Sequence, residues 1–472
     1  MTNTIKSLIV LSLFITTLSC EKKNDIQQSY LQGINRALAD NFSGARKSFM
    51  KSLNSDINAN HCILALGVLN KLDDQIIEDY TSFFFFSALD KMASGDASAS
   101  RIAIDKAISS KLNFSEALII RAIINQKNNE DTNAIKDYSS AIQHDPDKYN
   151  FAYNNRGIIH AYLGNFKEAT ADFDMAIKIN PKYLYAYFNR ANTSSILNNK
   201  HEAIDFYTKA LAIDPKFHEE LFFRANTYLQ LHDFENAIKD YTSVILLKPR
   251  FAMAYINRGI AYSKSGNLYE DALRDYAKAI NIYPWYGIAY YNRAVTYSYV
   301  GNFEKAIDDY TKAIEQDPWF TKMEIIWNGK NGNKQIFNKH EYEKDKTIDL
   351  NPRYSEVMSN RGIVYIYKGI TDKVVSDYNK ALELYPWYAM AYYNRAISFA
   401  LIGKFEEAIS DYNKALEINP SDPEILGNRA MAYYYDGKVD KASEDVKVAK
   451  EMGYKPDPEF LDLLRNKASG KN

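Results

Sequence analysis

Nine prolines divide most of this chain into equal parts. They stand at 146, 181, 215, 249, 284, 318, 352, 386 and 420, so the successive gaps are 35, 34, 34, 35, 34, 34, 34 and 34 residues. Proline stops a helix and biases the residue before it away from helical geometry, so each one marks the end of a helical stretch. A fixed period of this length is the mark of a stacked array, because one unit cannot bury its apolar face alone and neighbours must cover it. The length agrees, since 472 residues exceed what a single core serves. So does the composition: 37 Tyr and 24 Phe against only 12 Pro and 19 Gly leave few breakers among many large planar side chains.

Each unit is numbered here so that its proline is position 32; the unit ending at Pro284 has one extra turn residue, and its first helix is counted from Ala252. Positions 4, 7, 8 and 11 share one face of the first helix. Position 8 is Gly or Ala wherever the unit is intact: Ala191, Ala225, Gly259, Ala294, Gly362. Position 20 is Ala in most units and position 27 usually is, so two antiparallel helices can approach closely, while Tyr or Phe at 11, 17 and 24 fills the space between them. Gly at 15 (Gly164, Gly266, Gly301, Gly403) suits the turn after the first helix. One unit reads Tyr255-x2-Arg258-Gly259-x2-Tyr262, then Ala272-x3-Tyr276, Ala279 and Pro284; another reads Tyr392, Arg395, Ala396, Phe399, Gly403, Ala408, Tyr412, Ala415, Pro420.

From about Phe114 to Gly453 this pattern resembles the tetratricopeptide repeat (TPR). The resemblance implies an all-α fold, an α-solenoid whose helix-turn-helix units wind into a right-handed superhelix with the first helices lining a concave groove. The tandem array is expected over 113–453, with a degenerate unit at 321–352. Residues 29–112 read as irregular TPR-like helices: Ile34 to Asp56 as one unit, Ile102 to Ile108 as a second helix, and the run Phe83 to Phe86 as buried on several sides. Gly453-Tyr454-Lys455-Pro456 breaks the helix, and 454–472 is expected to hold a capping helix and a frayed tail.

The first nineteen residues carry one charge, Lys6, and an apolar run from Ser7 to Leu18 that is too short to span a bilayer. The run ends at Ser19-Cys20 and charge follows at once. This resembles a bacterial lipoprotein signal, which implies a signal peptide at 1–19, lipidation at Cys20, a tether at 20–28 and a membrane attachment through that lipid. The alternative is an ordinary secretory signal with Cys20 incidental. Cys62, the other cysteine, reads as a small buried apolar residue.

Lys+Arg total 58 and Asp+Glu 59, a balance that lacks the broad positive field nucleic acid requires. No Gly-rich phosphate loop, HExxH or CxxC is present, and the seven His are scattered, so no enzyme, cofactor, metal site or small-molecule substrate is expected. Arg recurs at position 7 and Asp at position 23, for example Arg258 with Asp275, Arg293 with Asp309, and Arg395 with Asp411. Both positions face the packing, which points to structural ion pairs; the other reading is a basic stripe gripping acidic ligands. In the unit with Phe206 at position 23, Asp205 is the expected substitute.

Positions 2, 5, 9 and 12, with 6 and 13 beside them, are the groove face that the TPR resemblance implies. They hold Asn257, Tyr291, Asn292, Tyr299, Asn360, Tyr393, Asn394, Asn428, Tyr434 and Tyr435, a strip rich in Tyr and poor in charge, with Lys264 nearly its only cation. The strip is the expected binding groove for a partner protein or peptide, its Tyr hydroxyls free; against this, the Asn can fix neighbouring backbone and the rings can be packing. Trp285, Trp319 and Trp387, each one residue past a closing proline, are expected to pack. The reading is a scaffold for protein–protein interaction at the bacterial cell envelope, lipid-anchored in the outer membrane, periplasmic or surface-exposed. Its alternatives are a structural spacer in an envelope complex and a glycan-binding surface lipoprotein.

The unit from Thr321 to Pro352 keeps its length but loses its signature: Trp327 to Lys334 contains two Gly, and His340 stands where Ala belongs. Retained length with every signature erased points to a compensated pair of frameshifts or to a functional loop.

Overall fold

The computed structural model describes residues 23–55, 60–111, 113–266, 268–316, 327–328, 334–335, 352–384 and 386–468. Cys20, Trp319 and His340 lie outside them. The described residues form 24 helices and one minimal two-stranded ladder, and they divide into two compact bodies, up to Leu247 and from Lys248.

The N-terminal body holds α1 (Lys23–Leu38), α2 (Phe42–Ser55), α3 (Asn60–Asp73), α4 (Asp79–Ala93), α5 (Ala97–Ser110), α6 (Ser115–Lys127), α7 (Asp131–His144), α8 (Asn150–Tyr162), α9 (Phe166–Ile179), α10 (Leu184–Ile196), α11 (Lys200–Ile213), α12 (His218–Gln230) and α13 (Phe234–Leu247). Six antiparallel pairs stack in order: α1/α2, α4/α5, α6/α7, α8/α9, α10/α11 and α12/α13. Helix α3 belongs to no pair, and α1 packs on α4 past it. The irregular region therefore contains two true pairs, 23–55 and 79–110, with one extra helix between them. Phe85 and Phe86 are fully buried, but Phe83 is 51% exposed, because a surface pair buries one stripe of α4 and leaves the opposite side to solvent.

The C-terminal body holds α14 (Ala252–Lys264), α15 (Tyr269–Ile282), α16 (Gly287–Tyr299), α17 (Phe303–Gln316), α18 (Pro352–Tyr367), α19 (Thr371–Leu384), α20 (Ala389–Leu401), α21 (Phe405–Ile418), α22 (Pro423–Tyr435), α23 (Val439–Glu451) and α24 (Pro458–Ala468). These pair as α14/α15, α16/α17, α18/α19, α20/α21 and α22/α23, and α24 lies on the last pair, burying Phe460 and Leu464 against Ala430, Ala442 and Val446. Between α17 and α18, β1 (Trp327–Asn328) pairs antiparallel with β2 (Lys334–Gln335) where the period called for a first helix. Two Gly and no small–large alternation leave that stretch without a helical face to bury.

In most pairs the core repeats. Ala at positions 20 and 27 (Ala272 and Ala279, Ala408 and Ala415) is fully buried, and the aromatic between them (Tyr276, Tyr412) is sealed at 1–2% exposure. Position 8 must be small because that ring lies against it: a Cβ on Gly259 would stand 2.7 Å from the Tyr276 ring. The turn glycine is needed for a different reason, since Gly403 has φ +76°, where a side chain is strained.

Candidate functional site

The recurrent Arg is built into the seam. Its guanidinium grips the carboxylate of its own repeat in a fork: Arg258 Nε and Nη2 donate to Asp275 at 2.7 and 2.8 Å, Arg293 to Asp309 at 2.6 and 2.8 Å, and Arg395 to Asp411 at 2.6 and 2.7 Å. The Asp partners are 3–5% exposed. A further nitrogen reaches back to position 25 of the preceding repeat, as in Arg395 Nη1 to Asn379 at 2.6 Å and Arg429 Nη1 to Asn413 at 2.7 Å. One side chain thus ties helix to helix and repeat to repeat, and aromatic rings flank it, as Tyr392 and Phe399 flank Arg395. In the repeat with Phe206, Arg190 lies over that ring and pairs instead with Asp174 at 3.1 Å and Glu202 at 2.8 Å. Asp205, the substitute expected from sequence, points elsewhere and pairs with Lys209.

The Tyr–Asn strip separates into two sets. Tyr291 and Tyr393, at position 5, are half-buried, and their hydroxyls accept from the position-6 amides of the next stacked repeat, Asn360 at 3.1 Å and Asn428 at 2.6 Å. They are not free hydroxyls on an open surface. Their rings pack on Tyr310 and Tyr412 of their own repeats, and the hydroxyl–amide bonds make this part of the strip a ladder between repeats. Asn394 is 7% exposed, Asn257 is half-buried, and Asn292 turns back to the Ile288 carbonyl at 2.8 Å. Tyr434 lies beneath α24, edge-on to Phe460. The second set is open: Tyr299 and Tyr435 are 73% and 58% exposed. Tyr367 and Leu401 hold the same position 13 and are exposed as well. Trp285 and Trp387, expected to pack, are 52% and 73% exposed; the neighbouring Tyr286 and Tyr388 occupy the covered places at the start of the next helix.

Beside Tyr299 a cleft of about 310 Å³ opens between α14/α15 and α16. Lys264, Ser263, Tyr269, Tyr276, Asn292, Thr296 and Tyr299 line it with Ile260 and Val295. It combines one cation, hydroxyls, an amide and apolar walls, a lining that can receive a peptide side chain but holds no acid–base pair. Among the described residues no cluster of His, Cys, Asp and Glu could hold a metal ion, and no helix is long and apolar enough to cross a membrane.

On the N-terminal body the same helix face is covered, which sequence reasoning missed. Helix α3 lies along α6. Lys71 pairs with Glu116 at 2.7 Å at the start of α6, and the charge of Lys127 at its end acts on His61. Asn60 reaches the Tyr183 hydroxyl at 3.4 Å, and Tyr149 donates to Glu116 at 2.5 Å. Cys62, Leu64, Ala65, Val68 and Leu69 are all buried. The result is legible in the first helices: α6 and α8 bury nine of their thirteen residues each, whereas α16 buries five and α20 four. A signal existed in the sequence, since Cys62 to Leu69 is apolar on every side of a helix, as a doubly covered helix must be.

Stacked antiparallel helix pairs at a 34-residue period define an α-solenoid repeat protein. Tetratricopeptide repeats are matched by profiles of that family at residues 151–183, 184–217, 224–284, 287–320, 389–422 and 411–442. No curated protein shows significant similarity to the chain. Similar solved structures include a tetratricopeptide repeat protein from Parabacteroides merdae (18% identity, TM-score 0.43, covering 60% of this chain and 98% of that one). YrrB, described as a TPR protein with an unusual peptide-binding site, has 23% identity and TM-score 0.35 and covers 38% of this chain and 92% of its own. The Cut9–Hcn1 assembly of the APC/C has 16% identity and TM-score 0.43, covering 86% and 76%.

Proposed function

We propose that this protein is a non-catalytic scaffold that holds a partner protein or peptide on the open first-helix face of its C-terminal body, anchored at the bacterial cell envelope by a lipid on Cys20. The observation that carries the reading is the contrast in exposure. The first helices α6 and α8 of the N-terminal body bury nine residues each, whereas α14, α16, α20 and α22 of the C-terminal body bury four or five, and position 13 (Tyr299 in the cleft at Lys264, Tyr367, Leu401 and Tyr435) is left in solvent. A spacer has no need of bare aromatics there; charged side chains would serve solubility better. Tyr also gives broad contact area at little entropic cost.

The test is site-specific photocrosslinking in the native cell. A photoreactive residue at 299 or 435 should trap one discrete protein, and the same residue at exposed Leu246 of the N-terminal body should not. Equal trapping from all three positions, or none, defeats the reading and favours the spacer.

A further inference from the structure

We infer that the repeat beginning at Pro352 is the direct stacking neighbour of the repeat ending at Gln316, although a full repeat length of sequence separates them. The inference rests on described residues on both sides of the segment and is independent of what the open face binds.

Three contacts that join adjacent repeats elsewhere are made here with one repeat length skipped. Arg395 and Arg429 donate to position 25 of the preceding repeat across 16 residues, and Arg361 Nη1 makes that bond to Thr311 at 2.9 Å across 50. Asn428 reaches the Tyr393 hydroxyl across 35 residues, and Asn360 reaches Tyr291 across 69. Phe405 stacks on Tyr435 with centroids 5.5 Å apart, 30 residues on, while Phe303 stacks on Tyr367 at 5.7 Å, 64 residues on. Each excess is 34, one period. Lys368 also pairs with Glu304 across the same junction, and α17 packs directly on α18. The face of α17 that a following repeat must cover is already covered, and the acceptor that a following Arg would use is already taken.

The sequence explains why this unit is the one passed over. At position 7 it offers Trp327 in place of Arg, so it cannot form the clasp, whereas the next repeat keeps Arg361 and Asp377 in a fork at 2.7 Å on both arms. Removing 317–350 would join Gln316 to Asn351-Pro352-Arg353-Tyr354, the same Asn-Pro-x-Tyr sequence that closes a regular repeat at Asn180-Pro181-Lys182-Tyr183. The skip has a consequence for the surface. Tyr299, Tyr367, Leu401 and Tyr435 stand on four consecutively stacked repeats and form one uninterrupted row.

Cysteine pairs test this in the full-length chain. Glu406→Cys with Asp436→Cys occupies positions 18 and 14 of two ordinary neighbours; Glu304→Cys with Lys368→Cys occupies the same positions across the skipped unit. Both should form an intramolecular disulfide under mild oxidation, to a similar extent, identified by peptide mapping. A repeat stacked between α17 and α18 would move the second pair apart by roughly another 10 Å, beyond disulfide reach, so bonding of the first pair alone overturns the inference. A chain lacking 317–350 gives a second reading: its melting midpoint should stay within about 3 °C of the full chain. A large drop or loss of folding would also overturn it.

Discussion

The Arg of position 7 shows how one residue type can be both a signature and a structural tie. Arg293 is held by Asp309 on two nitrogens, and removing it leaves a carboxylate that is 4% exposed without its partner. Arg293→Ala should cost about 3 kcal/mol, since breaking a buried pair costs about 3–5 and this guanidinium keeps some solvent. Lys305→Ala, on the exposed side, should fall within about 0.5 kcal/mol of wild type. Chemical denaturation of the two variants checks the difference, and equal losses would mean that the fork contributes nothing. Glu220 is the opposite case. Position 3 holds a fully buried Ala in Ala152, Ala186, Ala254, Ala289 and Ala391, and here it holds a carboxyl that is equally buried, with neither oxygen hydrogen-bonded among the described residues. Burial pushes its pKa well above the usual carboxylate range, and Glu219 and Asp214 add to the rise. The unfolded chain loses that proton near pH 4.3 while the folded chain keeps it, so stability is full below about pH 4.3 and falls as pH rises toward the folded value. Glu220→Gln should remove that fall, narrowing the difference in melting midpoint between pH 5 and pH 8. An unchanged difference would mean that Glu220 is ionised and paired in the folded protein.

At the scale of the element, α3 is the feature that the 34-residue period does not contain. Its apolar residues are buried against several repeats, so its amides should exchange with solvent only as slowly as the cores of α6 and α8, and far more slowly than those of exposed α24. Mass-resolved hydrogen exchange reads this directly, and fast exchange in 60–73 would show a loosely attached helix. His61 adds a pH dependence of its own. Burial, with the charge of Lys127, lowers its pKa to about 4. The unfolded imidazole takes up a proton below about pH 6.5, so this contribution to stability is present above pH 6.5 and is lost as pH falls toward 4. Hydrogen exchange within 60–73 should therefore be faster at pH 4.5 than at pH 7 once the intrinsic pH dependence of exchange is corrected for.

At the scale of the whole molecule, the exposed row and the proposed lipid anchor can be tested separately by experiment. Tyr299→Ala with Tyr435→Ala should abolish partner crosslinking from a photoreactive residue at exposed position 401 while leaving helicity and melting nearly unchanged, since both rings are more than half exposed. Tyr291→Ala with Tyr393→Ala should instead lower stability, because each removes the acceptor for the Asn of the next repeat. Cys20→Ala should release the protein from the membrane fraction; retention would refute lipid anchoring at that residue.

The sequence by itself determined the period, the helix pairs and the small–large–small core, because these are local: proline, glycine and alanine at fixed offsets act within one repeat. It also placed Arg and Asp in the seam, since both recur on faces that must pack. Only the tertiary structure decided which tyrosines are covered. Position 5 and position 13 look alike in a list of groove positions, yet one ring is roofed by the next repeat and the other is not. Only it decided that α3 belongs to the face of α6, and that Pro352 follows Gln316 in the stack. Those are contacts between residues far apart in sequence, chosen by which surfaces still needed covering, and a repeat pattern carries no record of that choice.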